Sequence, residues 1–360
     1  MIKKLLITFS LVLLSFSTEI YAKEITKEII RSYKVIANPM RMNQIADRFE
    51  VVKKLTTGYE VYVKEEDAKF FLELAPSAEL INANTQSAFY ADKSKAESLN
   101  ISKYRKFADV ERDLNTIAAS YKDMATLESY GVTKGGRKLY ALKISTNNSN
   151  TPRPEVMVTA ATHGDELVTV EVLFSLINEL LAGYGKDPRL TKIIDGRDIY
   201  FIPVVSPDSF EARERYVGGI DPNRSFPWPE NTTNKTVDCI QGIMDFSNAH
   251  KFAGSLDFHA YGKLVMFPWG YTKQAPISKD EVILRDLVRS MARENQYKAG
   301  QISTTIYIAK GSSADYFYWK NKTEAIAVEL ADQKVPSYNS IPLVTQEARE
   351  MTWTFLEHFN

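Results

Sequence analysis

A histidine and a glutamate stand three residues apart in the segment His163-Gly164-Asp165-Glu166, directly after the apolar stretch 155–162. The pattern predicts a buried strand that ends at this segment and a helix that begins there. In open α/β sheets, ligands bind outside the carboxyl ends of the strands. An imidazole and a carboxylate at such a turn can face one metal ion. Because His-x-x-Glu is frequent by chance, the pair needs a third ligand.

The chain has four histidines, and His259 closes a predicted strand over residues 254–260. A residue at the end of this strand is expected to lie at the same edge of the sheet as His163. His250 and His358 fall at predicted helix ends, where the helix dipole favours a cation, and are interpreted as structural. Two imidazoles and one carboxylate are the composition of a catalytic zinc site that keeps one position open for water. The sequence offers this set once.

Strands and helices alternate along most of the chain, which indicates an α/β fold with helices on both faces of the sheet. We predict a mixed, mainly parallel twisted sheet, preceded by a small α/β open-sandwich domain. The predicted divisions are a signal peptide over 1–22, the small domain over 23–85, a linker over 86–102 and the main domain over 103–360.

Composition limits the possible partners. Lys and Arg together number 45, as do Asp and Glu, so the chain lacks the positive charge of a nucleic-acid binder. The single cysteine, Cys239, excludes an internal disulfide.

Two lysines precede an apolar run from Leu5 to Phe16, as in a signal peptide. We expect an exported bacterial protein, periplasmic or secreted, with no nucleic-acid partner and no membrane anchor after cleavage.

Six ordered segments resemble the zinc carboxypeptidase family, whose fold is that of the pancreatic A and B enzymes. They read GGRKLYALKIS with HGDE, IPVVSPDSF, GGIDPNRSFPW, LDFHAYGKLVMFPWGYT, TTIYIAKGSSADYFYW and IAVELAD. The resemblance runs from about Lys103 to Phe359. It implies a metallocarboxypeptidase that hydrolyses the last peptide bond of peptides with a free terminal carboxylate.

Matched position by position, the resemblance implies that His163, Glu166 and His259 bind one Zn²⁺ per chain. It implies that Glu329 is the general base. Asp221 matches the carboxylate that orients the first histidine. Without the other motifs, Glu329 alone would be an ordinary charge at a strand end.

The resemblance also implies a substrate-binding set. Asn223 and Arg224 match the pair that holds the terminal carboxylate, which a guanidinium binds bidentately. Tyr307 matches the mobile tyrosine that closes over the bound C-terminus. The arginine that stabilises the oxyanion is Arg215 as first choice or Arg213 as second.

Terminal-residue preference is expected from the side-chain pocket. Ala314 and Gly270 fall where basic-specific and regulatory relatives have an aspartate. We therefore expect a mainly apolar wall with Ile302, Ala309 and Ala314, and poor release of Lys or Arg. Lys310 is either a solvated loop charge or a contact for a second substrate carboxylate.

Asp165 stands where the pancreatic enzymes have arginine, which removes a cationic contact. His-Gly-Asp-Glu is also what bacterial murein peptide amidases of this family show, so a peptidoglycan stem peptide is a candidate substrate. Two further classes share the fold: a deacylase of the aspartoacylase or desuccinylase type, and a metal-free binding protein. The deacylase is disfavoured by the Asn-Arg box, the tyrosine segment and the export signal. The binding protein is disfavoured because no ligand or base is missing.

Residues 23–85 resemble in outline the activation segments of secreted carboxypeptidases. If this unit is inhibitory, it covers the cleft, and cleavage of the linker raises activity. Otherwise it is a permanent domain for substrate docking or folding. Lys93, Lys95, Lys103 and Arg105 are candidate sites for a trypsin-like protease.

Overall fold

The computed structural model describes residues 29–85, 97–146 and 152–359. The predicted signal peptide and residues 86–96 of the predicted linker lie outside these ranges. Residues 29–85 are called the N-terminal unit below, and residues 97–359 the main unit.

The N-terminal unit has a sheet of its own. Its elements are β1 (Ile30–Val35), α1 (Pro39–Ala46), β2 (Glu50–Lys54), β3 (Tyr59–Lys64), α2 (Ala68–Leu74) and β4 (Glu79–Asn82). The strands are antiparallel in the order β2-β3-β1-β4. Ile45 and Phe71, from the two helices, are buried with Val61 of β3 in one apolar cluster. The predicted small α/β unit before the main sheet is confirmed.

The main unit is built on a second, larger sheet. Its strands are β5 (Ala125–Val132), β6 (Lys138–Ile144), β7 (Glu155–Ala160), β8 (Asp198–Ile202), β9 (Phe252–Ala260), β10 (Leu264–Phe267), β11 (Lys298–Gln301) and β12 (Glu324–Leu330). Its α-helices are α3 (Phe107–Ser120), α4 (Leu167–Gly183), α5 (Pro188–Gly196), α6 (Pro207–Ala212), α7 (Asp238–Ala249), α8 (Ser278–Met291), α9 (Ile302–Thr305), α10 (Ser313–Tyr316) and α11 (Ile341–His358).

The eight strands run in the order β11-β10-β12-β9-β7-β8-β6-β5. The central strands β12, β9, β7 and β8 are parallel, while β10, β6 and β5 introduce antiparallel pairs. Nearly every residue of β7 and β9 is buried, as expected when helices cover both faces of parallel strands. The predicted mixed α/β sheet is confirmed.

Register places the ends of the central strands together. In the parallel pair of β12 and β9, Glu329 lies opposite His259. Strand β7 is the other parallel neighbour of β9 and leads into the turn 161–166. A side chain on Gly164 would collide with the backbone of Ser209 and Phe210. This turn therefore requires glycine for its close packing on α6.

Helix α4 is buried along most of its length and packs against α11, which in turn contacts α8. Among the described residues, no single helix is long and apolar enough to cross a membrane. Helices α4 and α5 together meet the length and composition criteria, but they are bent by 103° at their junction.

Candidate active site

Three candidate metal ligands converge at the carboxyl ends of β7 and β9. His163 lies in the turn after β7, Glu166 directly precedes α4, and His259 lies near the end of β9. Their ligand atoms all lie within 4.8 Å of one another. His163 Nδ1 is 2.8 Å from Glu166 Oε1, and His259 Nδ1 is 3.2 Å from Glu166 Oε2. The three residues predicted to share a metal ion are thus brought together.

A carboxylate holds the far nitrogen of each imidazole. His163 Nε2 donates to Asp221 Oδ1 at 3.0 Å, the contact that the sequence predicted. His259 Nε2 donates to Asp257 Oδ2 at 2.9 Å, a contact that the sequence analysis missed. A proton fixed on Nε2 leaves the lone pair of Nδ1 free for a metal ion. Asp257 could have been found, because residues i and i+2 of a strand share a face.

The donor set fits a zinc ion in composition and charge. Two imidazole nitrogens and a carboxylate are the usual protein ligands of a catalytic zinc site. The main unit places four carboxylates and two guanidinium groups here: Glu166, Asp221, Asp257, Glu329, Arg215 and Arg224. The carboxylates outnumber the guanidinium groups in this set, so a bound cation would lie in negatively charged surroundings. Burial alone would lower the pKa of His259, but Asp257 and Glu166 raise it well above its ordinary value.

Glu329 shares the cavity with the three candidate ligands. Burial raises the pKa of its carboxyl to about 7, with a further increase from Glu166 and an opposing effect of His259. A cation bound beside it would lower that pKa again. The position is suitable for a group that exchanges protons near neutral pH.

The two candidate arginines differ in position. Arg215 lines the cavity and donates to Glu166 Oε1 at 3.3 Å and to Asp221 Oδ2 at 3.1 Å. Arg213 instead donates to the backbone oxygen of Arg105 and lies over the ring of Phe210. Only Arg215 therefore reaches the candidate ligands.

Arg224, Tyr307 and Asn223 also line this cavity. Arg224 Nη2 donates to the Tyr307 hydroxyl at 2.7 Å. Asn223 Oδ1 accepts the backbone N–H of Ser313 at 2.8 Å, and Asn223 Nδ2 is 3.2 Å from His259 Nε2. The hydrogen bond from Ser313 turns the amino group of Asn223 toward the candidate ligands.

Part of the cavity lining is apolar. These residues are Met266, Ile302, Ile306, Ala309, Ala314 and Ala327. The acidic residues that line the cavity are Glu166 and Glu329. Asp315, next to Ala314, is fully buried and accepts the backbone N–H groups of Gly270 and Tyr271 at 2.7 and 2.8 Å. Both oxygens of the Asp315 carboxylate are thus engaged by backbone N–H groups, and Asp315 is not among the residues that line the cavity.

The N-terminal unit reaches into this cavity through β2. Glu50 forms an ion pair with Arg215 and accepts a hydrogen bond of 2.6 Å from the Tyr216 hydroxyl. Val52 completes the lining. The remaining cavity has a volume of about 50 Å³, which is enough for a few water molecules. Small-molecule sites usually measure about 300–1,000 Å³.

The same unit also contacts the segment that carries Tyr307. The ring of Tyr307 packs against the apolar cluster of the N-terminal unit. Lys310 Nζ lies 2.9 Å from Asp47 Oδ1 of that unit. Lys310 therefore has a protein partner, which neither interpretation from the sequence included.

Asp165 has a partner that the sequence analysis missed. Its Oδ2 accepts from Lys334 Nζ at 2.7 Å, and both side chains are almost buried. Tyr62 of the N-terminal unit lies against the same ammonium group, 5.2 Å from ring centroid to nitrogen. The charge of Asp165 is thus balanced by a cation from the segment after β12.

The two remaining histidines lie at helix ends, as predicted. His250 follows α7 and contacts Glu155, and His358 ends α11 and contacts Glu324.

The fold and the site define a metallohydrolase of mixed α/β architecture, and comparison with known proteins identifies its family. The sequence profile of the zinc carboxypeptidase family matches residues 110–351. Carboxypeptidase A4 of Mus musculus is 27% identical over 73% of this chain and 72% of its own length. Carboxypeptidase A1 of Sus scrofa is 26% identical over 78% of this chain and 76% of its own length.

Among solved structures, carboxypeptidase A of Helicoverpa armigera superposes with a TM-score of 0.74 at 18% identity. The match covers 92% of this chain and 97% of that one, and shows the common fold. The chain belongs to the zinc carboxypeptidase family and is a metallocarboxypeptidase.

Zinc is expected to stabilise the protein through this site. At a concentration about a thousandfold above its Kd, a ligand of the folded state adds ~4 kcal/mol to the free energy of unfolding. The metal-free protein should therefore show a midpoint of thermal unfolding that rises when zinc is added. His259→Ala should abolish the increase, and His250→Ala should retain it. An equal zinc effect in both variants would contradict the assigned ligands.

Proposed function

We propose that this chain is an exported, zinc-dependent carboxypeptidase that releases the C-terminal residue of peptides by hydrolysis with Glu329 as general base. The observation that carries the proposal is one cavity lined by the candidate ligands, Glu329 and the Arg224–Tyr307 pair. A metal ligand set beside a carboxylate-binding guanidinium suits an exopeptidase. Export rests on the sequence of residues 1–22 alone.

Each group has a definite task in this proposal. Arg224 and the amino group of Asn223 bind the terminal carboxylate, and Tyr307 closes over it. Arg215 donates to the oxygen of the scissile carbonyl as negative charge develops there. Zinc held by His163, Glu166 and His259 would polarise that carbonyl and acidify water.

Glu329 then performs the proton transfers. It takes a proton from the attacking water and delivers it to the nitrogen of the leaving amino acid. Its position opposite His259 in the register of β12 and β9 places it within the same cavity as the candidate ligands. A carboxylate in apolar surroundings accepts protons more readily than an exposed one.

Replacement of the proposed base is expected to stop turnover and to leave the metal site intact. Glu329→Gln should reduce kcat by about 10²–10⁴-fold, with zinc content unchanged. Glu324→Gln, at the far end of the same strand, is the control and should keep wild-type activity. Both variants are assayed on a peptide ending in Phe, together with metal analysis. Wild-type turnover in Glu329→Gln would contradict the mechanism.

The pocket supports a preference for apolar terminal residues. A guanidinium or ammonium group placed among Ile302, Ala309 and Ala314 would lose its hydration without a partner. The His-Gly-Asp-Glu segment keeps a peptidoglycan stem peptide as the second candidate substrate.

Substrate preference is checked with peptides that differ only in their last residue. We expect kcat/KM for terminal Phe to exceed that for terminal Arg by at least about tenfold, equivalent to ~1.4 kcal/mol. Terminal meso-diaminopimelate is the third substrate, and a preference for it would favour a murein peptide amidase. A strong preference for Arg would show that the pocket holds an acid we have not recognised.

We further propose that the N-terminal unit inhibits the intact protein. Glu50 forms an ion pair with the guanidinium of Arg215, and Val52 lines the cavity and narrows it. A substrate carbonyl must then compete with this carboxylate for the guanidinium. Release would follow cleavage near the exposed Lys103, or at Lys93 or Lys95. Arg105 is a poor cleavage site, because it pairs with Glu171 and Asp113.

Loss of the Glu50 charge is expected to activate the intact chain. Glu50→Gln should raise kcat/KM severalfold to about tenfold, since a buried charge pair across the interface is broken. Glu66 is an exposed glutamate of the same unit, and Glu66→Gln should leave kcat/KM unchanged. Cleavage of the linker should raise the activity of wild type and both variants to one common level. Unchanged activity after cleavage would favour a permanent docking or folding domain.

A further inference from the structure

Asp257 is a buried carboxylate that the proposed mechanism does not use. It lies on β9 two residues before His259, so both side chains are on one face of the strand. Only 4% of its surface is exposed. An ionised carboxylate is stable in such a place only if its oxygens are fully hydrogen-bonded.

The partners of Asp257 come from three separate segments. Oδ2 accepts from His259 Nε2 at 2.9 Å and from Ser313 Oγ at 2.7 Å. Oδ1 accepts from Thr159 Oγ1 at 2.8 Å, and Thr162 Oγ1 lies 3.2 and 3.3 Å from the two oxygens. Burial alone would raise the pKa of this carboxyl, but His259, Ser313 and Thr159 hold it below its ordinary value.

Ser313 connects this carboxylate to the proposed substrate clamp. Its hydroxyl donates to Asp257, while its backbone N–H donates to Asn223 Oδ1 at 2.8 Å. The second contact fixes the orientation of the Asn223 amide, whose amino group then faces the cavity. One residue therefore contacts both the partner of a candidate metal ligand and a proposed carboxylate-binding group.

We propose that Asp257 is a positioning residue that orients the His259 imidazole for zinc and, through Ser313, aligns Asn223 with the terminal carboxylate of the substrate. The inference rests on the zinc site and the substrate clamp proposed above. It predicts two separable effects. Loss of the carboxylate weakens zinc binding, whereas loss of the Ser313 hydroxyl weakens substrate binding.

The competing role for Asp257 is purely structural, as an anchor between β9 and the turn after β7. Such an anchor would lower the free energy of unfolding and leave the zinc affinity of the folded protein unchanged. Asp198, at the amino end of β8, provides a matched control. It forms ion pairs with Lys143 and Arg153 at the opposite edge of the sheet.

The test measures the zinc dissociation constant of the full chain by competition with a chromophoric chelator. Asp257→Asn, which keeps the size of the side chain, should weaken zinc binding by about 10–100-fold. Asp257→Ser is the second variant in case the first does not fold, as judged by circular dichroism. Asp198→Asn and Ser313→Ala should bind zinc within about threefold of wild type.

The second measurement uses a peptide ending in Phe at saturating zinc. Ser313→Ala should raise KM by about tenfold, equivalent to the ~1.4 kcal/mol of one hydrogen bond, with kcat little changed. Zinc affinity in Asp257→Asn within about twofold of wild type, or an unchanged KM in Ser313→Ala, would overturn the inference. Failure of the wild type to bind zinc would instead overturn the proposed function, and this inference with it.

Discussion

The parallel adjacency of β7, β9 and β12 is the constraint on which the rest of the site depends. Parallel strands end at the same edge of a sheet, so the turn after β7, His259 and Glu329 meet there. The helices on both faces bury these strands almost completely. That burial excludes water from the carboxylates, which strengthens each of their contacts and makes each missing partner costly.

Arg215 links the metal site to the docking of the N-terminal unit. Its guanidinium contacts Glu166 and Asp221 within the main unit and Glu50 across the interface. Under the proposed mechanism the same guanidinium would also bind a substrate carbonyl, so we expect docking of β2 to compete with substrate binding. The exposed pair of Lys310 and Asp47 adds orientation more than energy.

The Asp165–Lys334 pair balances an almost buried charge inside the candidate ligand turn. An uncompensated carboxylate between two ligands would repel Glu166 and disturb the turn. Lys334, from the segment after β12, neutralises it at 2.7 Å and joins that segment to the ligand turn. The backbone N–H of Val168 donates to the carbonyl oxygen of Lys334 at 3.3 Å and joins the same two segments. The segment after β12 is thus connected both to the candidate ligand turn and to the start of α4.

The amino-acid sequence by itself determined the class of fold, which follows from local periodicity. It also predicted the candidate ligands and the contact of Asp221 with His163, the latter through the resemblance of short motifs to the zinc carboxypeptidase family. Asp257 could also have been predicted, since strand alternation places it beside His259. Tertiary structure alone decided that Arg215 rather than Arg213 reaches the site, that Lys310 meets Asp47 and that Glu50 pairs with Arg215. These outcomes depend on the path of loops and on how two separately folded units dock. Sequence periodicity indicates which face of a helix or strand a residue occupies. It does not indicate how far apart two elements lie in space when they are remote in sequence.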